Sequence, residues 1–256
     1  MSRSMRRSLR SLISGVGDSL KRVAGPAPSA FPHDFDAESI ELLQRVAPFT
    51  MTSRERILSL CDSVRHIVKH SIPGDIVECG VWKGGSMMAA ALVLMKMQVR
   101  RQLWLFDTFD GMPAPAVVDV DFRGRSAAER MAVEDRISGP VWAYSSLDEV
   151  RRNIGSTGYP DRFVSFVEGK VEDTIPANAP DRISLLRLDT DWYDSTRHEL
   201  QHLYPRLSTG GVLIIDDYGH WAGAKKAVDE YIEEKKLKIL LHRIDYTGRI
   251  AVKIES

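Results

Sequence analysis

The chain has 256 residues, 43% of them hydrophobic and 27% charged, with 35 basic side chains matched by 35 acidic ones. That length suits one large α/β domain or two small ones, and a formal net charge of zero excludes a global attraction to nucleic acid. Its two cysteines, Cys61 and Cys79, have no metal-type spacing and suit a reducing cytoplasm.

Taken in chain order, the first feature is an uneven charge. Residues 1–25 carry Arg3, Arg6, Arg7, Arg10, Lys21 and Arg22 against Asp18 alone, a surplus of five that the rest of the chain balances. With Leu9, Leu12, Ile13, Val16 and Leu20 interspersed, this stretch reads either as a solvated tail or as a basic amphipathic helix in weak contact with an anionic membrane surface. The apolar residues are too broken for a secretory signal or a membrane span. GPAPSAFP, Gly25–Pro32, reads as a linker. The expected organisation is therefore a tail over 1–30, a helical segment over 31–70, and a sheet domain over 71–256.

A helix is predicted from Thr52, where TSRE sets Glu55 three residues on, as a capping box does. Ile57, Leu60, Cys61, Val64, Ile67 and Val68 follow at helical spacing until SIPG stops it. Alternation follows: strand DIVECGV (75–81), helix from Gly85 to Lys96, strand LWLFD (103–107), then strands RFVSFVEG (162–169) and SLLRLD (184–189). A helix from Ser195 to Leu207, strand VLIID (212–216) and a helix from Gly223 to Lys236 come next. The chain closes with KILLHRI and RIAVKIE joined by DYTG, a hairpin signal. Apolar strands alternating with helices imply an α/β fold, a mostly parallel sheet covered on both faces with an antiparallel C-terminal hairpin. The connection over about 110–160 is long, mixes charges with glycine and serine, and reads as a lid over the substrate.

Ligands of such sheets bind at the carboxyl ends of the strands. Here those ends carry Glu78, Asp107, Asp189 with Asp191, and the pair Asp216–Asp217. Clustered carboxylates repel unless something cationic sits between them. The turn VECGVWKGGS places Gly80, Gly84 and Gly85 between strand and helix, but lacks the second glycine of a dinucleotide fingerprint and presents Glu78 instead. An acid there suits a ligand with a positive group, such as S-adenosylmethionine, better than a phosphate. Asp107 stands where acids accept hydrogen bonds from ribose hydroxyls. Three hard carboxylates suit Mg²⁺, which leaves room for substrate oxygens.

PFTMTSRERI, GDIVECGVWKGGS, LWLFDTFDGMPAP, EGKVEDTIP, LLRLDTDWYDST and GGVLIIDDYGHWAGAKKAVDEY together resemble the macrocin O-methyltransferase family, in order from Pro48 to Tyr231. The resemblance implies a Rossmann-like class I methyltransferase fold with a seven-stranded sheet, S-adenosylmethionine as donor, Mg²⁺ dependence, a sugar hydroxyl as acceptor and a homodimer. Carried over by motif, Glu78, Gly80 and Ser86 hold the methionyl part, Asp107 the ribose, and Asp173 with its neighbours the adenine. Thr50, Met51, Phe109, Lys170, Thr174 and Asp189 complete the implied cofactor set. Asp189, Asp216 and Asp217 bind the metal, and Asp191 is the base, with His220 as the alternative.

Several of these residues have simpler readings. Asp194 with Ser195 reads as the cap of the following helix. Trp82, Trp104 and Tyr231 read as core aromatics, and Trp192, Tyr193 and Trp221 as packing residues beside the acids. Two other functions fit the acids: a metal-dependent glycosyltransferase using Asp189–Asp191 on a nucleotide sugar, and a non-catalytic binder on the same fold.

Overall fold

The computed structural model describes residues 31–255. The basic stretch over 1–25 lies outside the described residues. The described residues fall into two compact units, 31–40 and 41–255. In the first, the Phe31 and Phe35 rings are 6.0 Å apart and the Asp36 carboxylate accepts from the Ser39 amide. Helix α1 spans Ala37–Val46.

The larger unit holds α2 (Arg54–Lys69) in the same body as the sheet. The cap of α2 is Ser53, whose hydroxyl accepts from the Arg56 amide. The expected Thr52 start is corrected, because the Thr52 hydroxyl is engaged elsewhere. Strand β1 (Asp75–Cys79) leads into α3 (Gly85–Lys96), and β2 (Leu103–Asp107) follows. The long connection contains α4 (Ala127–Val133) and α5 (Leu147–Gly155). Strand β3 (Val164–Glu168) is shorter than expected, since Asp161–Phe163 coil into a 3₁₀ turn. Then come α6 (Val171–Thr174), β4 (Ile183–Leu188), α7 (Tyr193–Leu203), β5 (Leu207–Ile215) and α8 (Ala222–Lys235). Helix α7 ends before Leu207, whose strand begins there, and is not capped by Asp194 or Ser195. The hairpin is β6 (His242–Arg243) with β7 (Arg249–Val252). KILLHRI pairs only at those two residues, and Leu240 is exposed.

The seven strands lie in the order β3-β2-β1-β4-β5-β7-β6, parallel except for the terminal hairpin. Every residue of β4 is buried, as a strand covered on both faces requires. Helix α3 is apolar nearly all round, with nine buried residues, and so sits inside rather than on the surface. The order reverses between β1 and β4, and a crevice opens outside the carboxyl ends of strands at such a point. Among the described residues no helix is long and apolar enough to cross a membrane.

Candidate active site

A cavity of about 440 Å³ lies over the carboxyl ends of β1, β2, β4 and β5. Its first half is built from backbone. Gly80 has φ +78°, and a Cβ there would lie 2.0 Å from the Asp189 carbonyl oxygen, so only glycine lets the β1 turn touch the end of β4. A Cβ on Gly85 would lie 2.5 Å from the Phe49 carbonyl oxygen. Asp107 braces the turn from below: one oxygen accepts from the Val81 and Trp82 amides at 2.7 and 3.1 Å, the other from the Phe109 amide at 2.8 Å. Thr50, Met51, Gly80, Ser86, Asp107 and Lys170 all line the cavity.

Four residues of the expected cofactor set do not. Glu78 is fully buried behind the wall and bonded to Arg187. Phe109 turns away, its ring 6.4 Å from that of Phe166. Asp173 is exposed, and the Thr174 hydroxyl donates to the Lys170 carbonyl at 3.0 Å. The neighbours Lys170, Val171 and Glu172 line the cavity in their place, since the single turn of α6 puts Asp173 on its outer side. Trp82 lines the cavity rather than the core.

The second half is built from charges, and its first cations are protein groups. Arg187, the last residue but one of β4, stands opposite Glu78 in the strand register. Its Nη1 donates to Glu78 Oε1 and to Asp189 Oδ2 (2.6 Å for the latter), and its Nη2 to Asp216 Oδ1 at 2.6 Å and the Thr52 hydroxyl at 2.9 Å. Arg56 of α2 donates from Nη1 to Asp216 Oδ2 and from Nε to Asp245 Oδ2, the latter at 3.0 Å. Both oxygens of Asp216 are thereby taken by arginines. Asp216 is 2% exposed, and the expected metal set of Asp189, Asp216 and Asp217 is not the one brought together.

The acids that converge are Asp189, Asp191 and Asp217, each offering an oxygen within 4.8 Å of the others. Asp191 reaches this place through a left-handed backbone, φ +66°. Burial pushes its carboxyl up to about 7; a hydrogen bond with Asp217 opposes the rise, while the charges of Asp189 and Asp216 add to it. Burial likewise holds Asp217 and Asp189 well above the usual carboxylate range. Glu78 is raised to about 7 by burial, against the pull of Arg187, and its Oε2 has no hydrogen-bond partner. Two arginines thus offset only part of the buried negative charge, and the remainder favours a bound cation.

His220 lines the cavity beyond the acids, its Nδ1 3.1 Å from the Tyr246 hydroxyl. Burial lowers its pKa, so the imidazole is neutral near pH 7 and able to accept a proton. Trp192 and Trp221 are buried and meet edge-to-face at 4.9 Å, closing the back of the acid cluster. Sequence reasoning missed Arg187 and Arg56. The available signal was a charged residue inside an apolar strand, which cannot be buried without partners.

Comparisons with known proteins identify the family. The macrocin-O-methyltransferase (TylF) family matches residues 34–252. Demethyldecarbamoylnovobiocin O-methyltransferase of Streptomyces niveus is 37% identical over 200 residues, 78% of this chain and 73% of that protein. Mycinamicin III 3''-O-methyltransferase of Micromonospora griseorubida is 34% identical over 200 residues, 78% of this chain and 76% of its own. The solved structure of the O-methyltransferase NovP superposes with a TM-score of 0.70 at 35% identity, covering 81% of this chain and 83% of that one. The fold is that of class I methyltransferases. The chain is an O-methyltransferase and belongs to the macrocin-O-methyltransferase family.

Proposed function

We propose that this chain methylates a sugar hydroxyl of a glycosylated natural product, with S-adenosylmethionine as donor, Mg²⁺ as an aid and Asp191 as base. One observation carries the reading: a glycine turn and a cluster of three converging acids, only one of which (Asp189) meets an arginine, face each other across one cavity. The relatives act, by their names, on demethyldecarbamoylnovobiocin, on mycinamicin III and, for one of Streptomyces olivaceus, on a rhamnosyl-tetracenomycin, and the last supports a glycosylated acceptor. Membership in a methyltransferase family removes the glycosyltransferase alternative.

Both absent groups fit the residues present. The turn at Gly80 and Gly85 leaves no room for a Cβ, and Thr50, Met51, Ser86, Asp107 and Lys170 surround the space, a polar and apolar mixture suited to a nucleoside with a cationic side chain. When bound, S-adenosylmethionine supplies an electrophilic methyl carbon. Converging carboxylates are hard oxygen donors suited to Mg²⁺, so Asp189 and Asp217 are the residues that would hold it, with Asp191 beside them left to act as base, and Asp216 is not a ligand. When bound, Mg²⁺ supplies positive charge that orients and acidifies an acceptor hydroxyl.

The chain's own residues do the rest. Asp191, poised near neutrality, removes the hydroxyl proton. Arg187 and Arg56 fix Asp216 and one oxygen of Asp189, which keeps the second oxygen of Asp189 directed to the cavity. Trp221 and the residues of the long connection restrict water. Cys61 and Cys79, both buried and in no disulfide, suit a reducing cytoplasm. The homodimer expectation is checked by light scattering.

The test is turnover by mass spectrometry across a panel of glycosides, before and after exhaustive chelation, with Mg²⁺ added back. Chelation is expected to abolish methyl transfer and Mg²⁺ to restore it. Full activity after chelation removes the metal. Tight S-adenosylmethionine binding without transfer to any glycoside leaves a non-catalytic binder.

A further inference from the structure

The two acid loops share an unusual neighbour. The loop carrying Asp189 and Asp191 runs into α7, the loop carrying Asp216 and Asp217 runs into α8, and neither helix has a side-chain cap of its own. Both are capped instead by the connection between β2 and β3. Asp119 Oδ1 accepts from the Tyr193 amide, the first of α7, at 2.9 Å. The next carbonyl, that of Val120, accepts from the Ala222 amide, the first of α8, also at 2.9 Å.

We infer that Asp119, with the Val120 carbonyl, is a positioning residue that sets both acid loops at once. Its carboxylate is 1% exposed and lies where the two helix starts meet. A Cβ on Gly223 would be 1.7 Å from Asp119 Oδ1 and 3.0 Å from the Tyr193 amide nitrogen, so Gly223 exists to admit it. Two helix N-termini pointed at one place favour a negative group there. Asp119 is itself fixed: its Oδ2 accepts from the Ala116 amide at 2.7 Å, and its carbonyl accepts from Ala127 at 2.9 Å. The Trp192 indole donates to the Pro113 carbonyl of the same connection at 3.0 Å.

The left-handed backbone of Asp191 makes this matter. A non-glycine residue with positive φ persists only where its surroundings over-determine it. On its near side the loop is held by Gly80 against the Asp189 carbonyl and by Glu199, which accepts from the Thr190 hydroxyl at 3.0 Å. On its far side the restraints on Trp192 and Tyr193 come from Pro113 and Asp119. Removing Asp119 therefore releases Asp191 and Asp217 while leaving the glycine turn of the cofactor half intact. A residue that merely stabilised the fold would disturb both halves.

The experiment compares the parent, D119A and G223A by calorimetric titration with Mn²⁺ and separately with S-adenosylmethionine. Both variants are expected to lose about tenfold or more in Mn²⁺ affinity, as supporting partners of metal ligands do. Their S-adenosylmethionine affinity is expected to stay at the parental value. Unchanged Mn²⁺ affinity in both, or equal losses for both ligands, overturns the inference. This part rests on the reading of the acids as cation ligands, and a parent that binds no Mn²⁺ refutes that reading by itself. Hydrogen exchange of the parent judges Asp119 without metal or mutation. In mild denaturant the amides that open α7 and α8 are expected to lose protection together with those of residues 116–127. If they remain protected after that segment has exchanged, Asp119 does not position them.

Discussion

The two halves of the cavity are built on different principles. On the β1–β2 side, Gly80, Gly85 and the amides gathered by Asp107 shape the wall, and side-chain charge has little part in it. On the β4–β5 side, Glu78, Asp189 and Asp216 are held by Arg187 and Arg56, with Asp191 and Asp217 left over. A backbone-built wall depends on local stereochemistry. A charge-built wall depends on stoichiometry, so removing one ion reaches every partner it had.

The largest test of that contrast is R187M, which strands Glu78 and Asp189 and leaves Asp216 to Arg56 alone. A loss of about 3–5 kcal/mol in unfolding free energy is expected from urea denaturation, the usual result of breaking a buried pair. A loss under about 1 kcal/mol would show that the acids are held by something else. Next is D191N, which keeps size and shape but cannot take a proton. Its kcat is expected to fall about 10²-fold, or about 2.7 kcal/mol in barrier, with S-adenosylmethionine affinity unchanged. Parental turnover would move the base to another group, with His220 first in line.

A smaller effect is expected for D216N. Asp216 serves the two arginines, so the variant should lose about 1–3 kcal/mol of stability. The Mg²⁺ dependence of its turnover should match the parent. A steep new Mg²⁺ requirement, relieved at high metal, would return Asp216 to the ligand set. The smallest effect concerns Asp121 in the long connection. Despite burial, which raises it, the Arg125 and Arg123 amides and the Arg125 guanidinium hold its carboxyl down at about 2, from an ordinary 3.8. A depressed folded value contributes stability above the unfolded value, lost as pH falls from 3.8 toward 2. Proteolysis of the 117–145 segment by an acid protease should therefore rise over that interval, and the rise should be missing in D121N, which is cleaved at a constant rate.

Much of the fold was legible because buried parallel strands are mostly apolar runs, and α3 was read from Gly85 to about Lys96, where it lies. The site's location was equally legible, since strand ends carrying Glu78, Asp107, Asp189 and Asp216 mark one sheet edge. Which of two adjacent acids faces the cavity was not. Asp216 and Asp217 look alike in sequence, and what separates them is the reach of Arg187 from the neighbouring strand and of Arg56 from a helix 160 residues away. The start of α7 was misread for a related reason: Asp194 is a good local cap, but Asp119, 74 residues before Tyr193, occupies the position. Local rules lose wherever a distant residue satisfies the same group first. Asp173 failed differently, because a four-residue helix is too short for sequence spacing to tell its inner face from its outer one.

Thr52 and Arg56, upstream of the first strand, reach Arg187 and Asp216 inside the sheet, and Ser53 with Arg56 holds Asp245 in the final hairpin turn. The consequence is genealogical. A recombination junction placed just before Asp75 would join a sheet from one parent to a helix from another, and leave the buried acids dependent on a stranger's arginine. Shuffled descendants of such enzymes should survive when the crossover falls before Thr52, and vanish when it falls between Arg56 and Asp75.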